Sequence, residues 1–372
     1  HTLALSKPID KLIERGANYC NTTANAAAII TFFTLLVSLF NWGLGLIFGA
    51  IFARKVGEFA SKRNNKLNYP LIGAAGYSGL MVWHGGISGS APIKIAEQGH
   101  FLAEKIGVIS QANTIFSVMN ISISIVLLIV LPLLMYYLGK TSKSAVIQLS
   151  TTVTTEKESL LKGAEKLDHS RIIAWAFGGI ILCYAFYKAI IIPEIVSLKV
   201  INPNYINLVL FGLAIIMHNS IFNFLKAIDT SIKGAAGILI QFPLYFGIMG
   251  IMNHSGMVQI MSDFFVSISN ETTFPIFTFI SAGIVNIFVP SGGGQWAVQG
   301  PIIIEAATQL GVNIPKSVMA LAYGDQLTNM LQPFWALPLL GITGLKAKEI
   351  LPYTLILLLA GFVIFIGGLL LF

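Results

Sequence analysis

Charge is what this sequence has least of. Asp, Glu, Lys and Arg make up 10% of its 372 residues, against about 25% in a soluble domain. Hydrophobic residues make up 55%. That balance excludes a soluble or disordered chain and reads as an integral membrane protein. Membrane-barrel alternation is missing too, so the class is all-α. Cysteine is nearly absent: Cys20 and Cys183 stand far apart, without metal-ligand spacing. Cys183 falls in an apolar run and reads as a small core residue. No dinucleotide or phosphate-loop motif is present, so nothing points to ATP-driven work. The chain starts at His1 with no visible signal peptide, and a missing N-terminal portion is expected.

What charge there is sets topology. The net charge of +7 lies in loops between apolar runs, which excludes a nucleic-acid-binding face. Residues 24–53 are apolar but broken at Asn41-Trp42-Gly43-Leu44-Gly45, with basic residues on both flanks. Such a segment leaves ~15 residues per leg, where a crossing needs ~20. A hairpin entering from the cytoplasm satisfies both facts. Residues 69–95 form a span interrupted from Trp83 to Pro92, and 112–138 the next, with Pro132 as a kink. The Lys-rich stretch 139–170 reads as a cytoplasmic linker. Spans follow at 172–192 and 206–224, then an interfacial helix at 225–233 and a span at 235–252.

The stretch Phe288-Val-Pro-Ser-Gly-Gly-Gly-Gln-Trp-Ala-Val-Gln-Gly-Pro301 joins two short apolar legs, 274–289 and 297–307. Its flanks lack positive charge, so this second hairpin enters from outside. An interrupted span at 316–341 and a last span at 350–372 complete the chain. With Asn41 set against Pro290, Gly43 meets Gly292 and Gly45 meets Gly294. Each half is then a re-entrant helical hairpin followed by a broken transmembrane helix, in inverted orientation. The first repeat is 1–138, N-terminally truncated, and the second 171–372. Inverted repeats with discontinuous helices are the architecture of secondary transporters.

Two glycine-broken tips offer bare backbone N–H groups and helix N-termini, which favour an anion. The substrate-site candidates are therefore Asn41, Trp42, Gly43, Gly45, Ser88, Ser90, Ser291, Gly292, Gly293, Gly294, Gln295, Trp296 and Thr328. Glycine in membranes also serves close helix packing, and that reading stays open. Asp325 falls ~14 Å past Lys316 at 1.5 Å per residue, near midplane. A carboxylate there is a functional candidate by default. Asp325, Asn329 and His84 are the ion-coupling candidates, for a proton or for a sodium ion beside Asp325; pairing with a polar neighbour is the plainer alternative. His218 and Asn219 read as structural. Trp83, Trp296, Phe334 and Trp335 either line a pocket for an apolar tail or pack between helices. A Ser291–His84–Asp325 triad is disfavoured, because no nucleophile elbow surrounds Ser291.

Val289-Pro-Ser-Gly-Gly-Gly-Gln-Trp-Ala-Val-Gln-Gly-Pro301 resembles the signature of the bacterial short-chain fatty acid transporter family. So do Asn41-Trp-Gly-Leu-Gly45, Ser88-Gly-Ser90, Ala322-Tyr-Gly-Asp-Gln326 and Gln332-Pro-Phe-Trp-Ala-Leu-Pro338. The resemblance runs from about Leu3 to Phe372 and places the chain in the ion-transporter group of inverted-repeat carriers. It implies ion-coupled uptake of short monocarboxylates such as acetoacetate or butyrate through a bacterial inner membrane. It implies no cofactor and no enzyme activity, and two further spans ahead of Leu3. The family pattern has His where Gln295 stands, which puts a proton role there in doubt. It has Glu where Asp325 stands, which keeps a carboxylate. A carrier of another small anion, dicarboxylate or lactate-like, is the alternative; no Lys or Arg lies near either tip at depth, which favours a monocarboxylate. Membrane lipid is the surrounding partner, and a homo-oligomer is left open.

Overall fold

Polar caps set where the helices start. The computed structural model describes residues 2–146, 163, 165–193, 200 and 202–372. After a 3₁₀ turn at Thr2–Leu5 comes α1, Lys7–Ala17, whose apolar face packs on α3 (Trp42–Lys62). Between them lies α2, Thr23–Phe40, capped by Thr22. Asn68 caps α4, Tyr69–Tyr77, which unwinds through 3₁₀ turns at Ser78–Met81 and Trp83–Gly85 before α5, Ala91–Lys94. The short α6, Ala103–Ile106, precedes α7, Val118–Thr141, capped by Ser117. Pro132 sits inside α7 without ending it. A two-residue ladder joins Lys66–Leu67 to Ala145–Val146. The middle of the expected linker 139–170 lies outside the described residues.

The chain continues with further helices. The short α8, Glu165–Asp168, leads into α9, Arg171–Phe186, then α10, Pro203–His218, α11, Ile221–His254, and α12, Met257–Ser267. Next come α13, Phe274–Phe288, and α14, Gly292–Leu310. Asn313 then caps α15, Ile314–Thr328, as Asn68 caps α4. A 3₁₀ turn at Asn329–Leu331 separates α15 from α16, Pro333–Thr343, and α17 is Ala347–Leu371. Gly79 and Gly324 lie at the same offset from these two Asn caps. A Cβ on either would strike the helix crossing it, α2 at Ser38 or α13 at Phe279.

The two halves run between two ends of the bundle. At one end lie Asn68, bonded to Tyr353, and the Tyr69 hydroxyl, which donates to the Thr343 carbonyl at 3.0 Å. Thr23 also sits there, beside Ser144. At the other end Lys105 pairs with Glu305 at 3.0 Å. A cavity of about 510 Å³ at that end holds Ser117, Lys316 and Phe372 together. Thus α4–α5 runs from the first end to the second, and α15–α16 runs back.

Two sequence expectations need correction. First, residues 206–224 are not one continuous helix. The helix stops at His218, Asn219 takes the left-handed conformation at φ 61°, and Ser220 caps the next helix through Asn223 N–H. Asn enters that region more readily than bulkier residues. The chain axis turns by 118° here. The interfacial helix and the span after it are instead one helix, α11, with no break at Gly234. Second, the hairpin legs are longer than read. α2 has 18 residues and α3 has 21, and α2 is long and apolar enough to cross a membrane. Only α13, at 15 residues, keeps the expected shortness. Among the described residues, Val118–Thr141, Arg171–Ile191 and Ala347–Leu371 also qualify as crossings.

Close glycine contacts hold the first half together. A Cβ on Gly49 of α3 would overlap the Gly76 carbonyl of α4 and come within 2.8 Å of Thr34 Oγ1. Gly49→Ala is expected to cost about 1–3 kcal/mol through overpacking, read as a lowered melting temperature in detergent. An unchanged melting curve would show that the helices part freely.

Cys20, in the turn between α1 and α2, is buried, and that burial pushes its thiol up to about 12. The thiolate is the reactive form, so at pH 7–8 almost none of it is available. Mass spectrometry after N-ethylmaleimide treatment should find Cys20 unmodified in folded protein and modified after denaturation. Rapid labelling in the folded state would contradict the burial.

Candidate functional site

The first tip is Asn41. Its backbone is extended, ending α2, and its Oδ1 accepts the Leu44 N–H at 2.8 Å, starting α3. Trp42 N–H donates to Ser88 Oγ at 3.0 Å, and Ile87 N–H donates to the Leu39 carbonyl at 2.9 Å. The first break is thereby laid across the tip. Gly43 N–H, in the first turn of α3, has no partner among the described residues. Gly45 faces away, where a Cβ would overlap Ser38 of α2.

The second tip repeats the device with Ser291, whose Oγ accepts the Gly294 N–H at 3.2 Å. That cap stands opposite Asn41, one residue beyond the Pro290 alignment. A Cβ on Gly292 would lie 2.7 Å from His84 Nε2 and 3.0 Å from Ser90 Oγ, whereas one on Gly293 would meet nothing within 4 Å. Both tips therefore abut one segment, His84 to Ser90, through Ser88 on one side and His84 and Ser90 on the other. Two helix N-termini, each with the partial positive charge of its aligned peptides, end at that segment.

Behind it lies a buried polar web. Asp325 is 1% exposed, and among the described residues no Lys or Arg pairs with it. Its Oδ1 lies 3.2 Å from His84 Nε2, but the ring N–H is not aimed at it, and Oδ2 has no partner. Ser90 N–H donates to His84 Nδ1 at 3.2 Å, so Nδ1 is the acceptor and the ring proton sits on Nε2. His84 N–H donates to Gln326 Oε1 at 2.9 Å. Asn286 Nδ2 gathers the second break, donating to the Asp325 carbonyl, Thr328 Oγ1 and Asn329 Oδ1 at 2.7, 2.9 and 3.0 Å. Gln332 Nε2 donates to the Asn286 carbonyl. The Tyr77 hydroxyl bridges the breaks, reaching the Asn329 carbonyl at 2.8 Å and that of Gln332 at 3.1 Å. Oxygens Asn286 Oδ1, Asp325 Oδ2 and Gln332 Oε1 stay without partners. Leaving buried polar atoms unpaired costs about 1–3 kcal/mol each.

In front of the first tip is a cavity of about 680 Å³, within the ~300–1,000 Å³ range of small-molecule sites. Asn41, Gly43, Ser88 and Ser90 give it a polar end. Leu210, Phe211, Ala214, Phe224 and Ile228 of α10 and α11 give it an apolar wall. None of its lining residues is charged.

The candidates therefore divide. Asn41, Trp42, Gly43, Ser88 and Ser90 meet at the cavity, and Gly292, His84 and Asp325 stand behind it. Asn329 and Thr328 join the web through Asn286. Gln295 donates to the Ala282 carbonyl and to Gln299 Oε1, each at 2.8 Å, inside the α13–α14 pair. Trp296 packs in a separate apolar cluster with Ile303 and Ile304, while Trp42 touches both Trp83 and Trp335. Ser291 Oγ forms its cap and no hydrogen bond to His84, so no nucleophile–base pair exists there. His218 meets the Thr2 carbonyl at 2.8 Å and Asn219 ends α10, both structural as read. Asn286, Tyr77 and Asn120 join the site without a sequence motif to mark them, Asn120 donating to the Gly85 carbonyl at 2.8 Å. Asn286 carried a signal, a polar side chain inside a 15-residue apolar helix.

The whole chain, residues 1–372, matches the family described as short chain fatty acid transporter. It is 37% identical over 379 residues to a putative short-chain fatty acid transporter of Escherichia coli (strain K12), covering 100% of this chain and 84% of that one. It is also 37% identical over 383 residues to a putative short-chain fatty acid transporter of Haemophilus influenzae, covering 99% of this chain and 83% of the relative. Identity at that level over essentially the whole chain, together with the family match, makes this chain a member of the short-chain fatty acid transporter family.

Proposed function

We propose that this protein is a secondary active carrier that takes up short-chain fatty acid anions, such as butyrate or acetoacetate, across a bacterial inner membrane. The observation that carries the reading is the cavity, polar at the α3 tip and mostly apolar along α10 and α11, where Asn207 is the polar exception, with no charged side chain in its lining. The carboxylate accepts hydrogen bonds from Gly43 N–H and from Ser88 or Ser90, and the tail lies on the apolar wall. A dicarboxylate is best held by a second cationic anchor, and the lining offers none, its polar groups away from the tip being Thr2 and Asn207. The opposite directions of α4–α5 and α15–α16 support inverted repeats with re-entrant hairpins. The first repeat is 1–138 and the second 171–372.

Coupling runs through the web behind the tips. Ser90 touches the cavity on one side and His84 on the other, and His84 stands against Asp325. Asp325 carries a proton, or with the unpaired oxygens of Asn286 and Gln332 holds a sodium ion, since oxygen ligands suit hard cations. Uptake of labelled butyrate by proteoliposomes decides among these. Concentrative uptake under an imposed proton or sodium gradient, competed by monocarboxylates and not by succinate, is expected. Linear, non-saturating flux that ignores both gradients would mean a channel, and competition by succinate would mean a broader anion carrier.

A further inference from the structure

The apolar wall of the cavity does more than complete it. Ala214 and Phe211 lie on α10, and Phe224 and Ile228 on the start of α11, beyond the 118° turn at Asn219. The wall is thus built by two helices meeting at an angle. Phe224 is wedged in that angle, with its ring 5.8 Å from Phe211 and 6.2 Å from His218. Ala214 is the smallest side chain of the wall and is 5% exposed, while Phe211 is 49% exposed. The polar end, at Asn41 and Gly43, belongs to a different core from this wall. Leu3, Ala174, Ala214, Ile215 and Phe224 form one cluster, and the α2–α3–α4 residues form another. Leu44, beside Gly43 on α3, packs against both clusters, so the tip and the wall meet across that side chain.

We propose that Ala214 and Phe211 set the chain-length limit of the acid this cavity accepts. This inference rests on the carrier reading above, with the carboxylate fixed at the tip. Once the head is fixed, the tail has one direction to grow, toward α10 and α11. Each added methylene that reaches apolar surface strengthens binding by about fourfold, until the wall is met. Beyond that point an extra methylene must displace packed side chains, and affinity falls. Ala214 leaves the room at the wall that a larger side chain would take. Phe211 closes the opening beside it. They are specificity-determining residues and touch no group that couples transport.

The test is competition against labelled butyrate uptake in proteoliposomes, using unbranched acids from acetate to octanoate. The unaltered protein, Ala214→Phe and Phe211→Ala are compared. For the unaltered protein, half-inhibitory concentration should fall about fourfold per methylene up to a limit and then rise. Ala214→Phe should move that limit toward shorter acids, with acetate competition retained and butyrate competition weakened at least tenfold. Phe211→Ala should move it toward longer acids, with the half-inhibitory concentrations of the longer acids falling relative to that of acetate. Should Ala214→Phe fail to insert or fold, Ala214→Val and Phe211→Ala still give opposite expected shifts. The same ranking of acids in all folded variants would overturn the proposal while leaving the carrier reading intact. Absence of any saturable butyrate uptake by the unaltered protein would remove the carrier reading, and this proposal with it.

Discussion

Asp325→Asn is expected to abolish gradient-driven uptake while leaving exchange of labelled for unlabelled butyrate. The carboxylate is almost wholly buried, its Oδ2 has no partner, and His84 stands 3.2 Å from its Oδ1. Asn keeps the shape and one acceptor but can neither ionise nor offer a charged oxygen to a cation. With no group left at that place to take up and release the coupling ion, concentrative uptake should fall to the level of passive equilibration. Exchange needs no net movement of a coupling ion and should persist. Asp325→Glu keeps the carboxylate and should restore part of the gradient response. Full concentrative uptake by Asp325→Asn would remove the residue from coupling.

The second large effect separates two adjacent glycines. A Cβ at Gly292 would press on His84 and stand 3.0 Å from Ser90 Oγ. The His84 ring cannot give way cheaply. Ser90 N–H holds its Nδ1, and Trp83 lies against it with ring centroids 3.6 Å apart. Overpacking of this kind costs about 1–3 kcal/mol, or about 5- to 150-fold in rate if the tip must pass that segment in each cycle. Gly293 has open space, so Gly293→Ala should transport within about twofold of the unaltered protein. Initial uptake rates of the two variants at matched reconstitution levels give the comparison. Equal rates would mean that the second tip does not close on His84 and Ser90.

Much of this architecture could be read from local chemistry. The caps that Asn41 and Ser291 give α3 and α14 show only in the structure, while the tips after them are legible because glycine and a polar neighbour interrupt an apolar run. The breaks near His84 and Asn329 could be read for the same reason. The cavity wall could not. Ile228 joins Phe211 and Gly43 around one cavity because the chain turns at Asn219, and residues 225–233 read as an interfacial helix when their apolar stripe belongs to α11. Asn286 and Tyr77 were passed over because their roles depend on partners far along the chain, Asp325 and Asn329. Trp296 shows the converse: it lies in the same motif as the tip glycines, yet its ring packs into another core.

The central claim is that a short acid lies with its carboxylate at Gly43, Ser88 and Ser90 and its tail on α10. A structure with 4-bromobutyrate bound, phased on the bromine, tests this most directly. The account predicts bromine signal between Ala214 and Phe224, and carboxylate density within hydrogen-bond reach of Gly43 N–H. Bromine at the lipid-facing surface, or in the Ser117–Lys316 cavity at the opposite end, would contradict it.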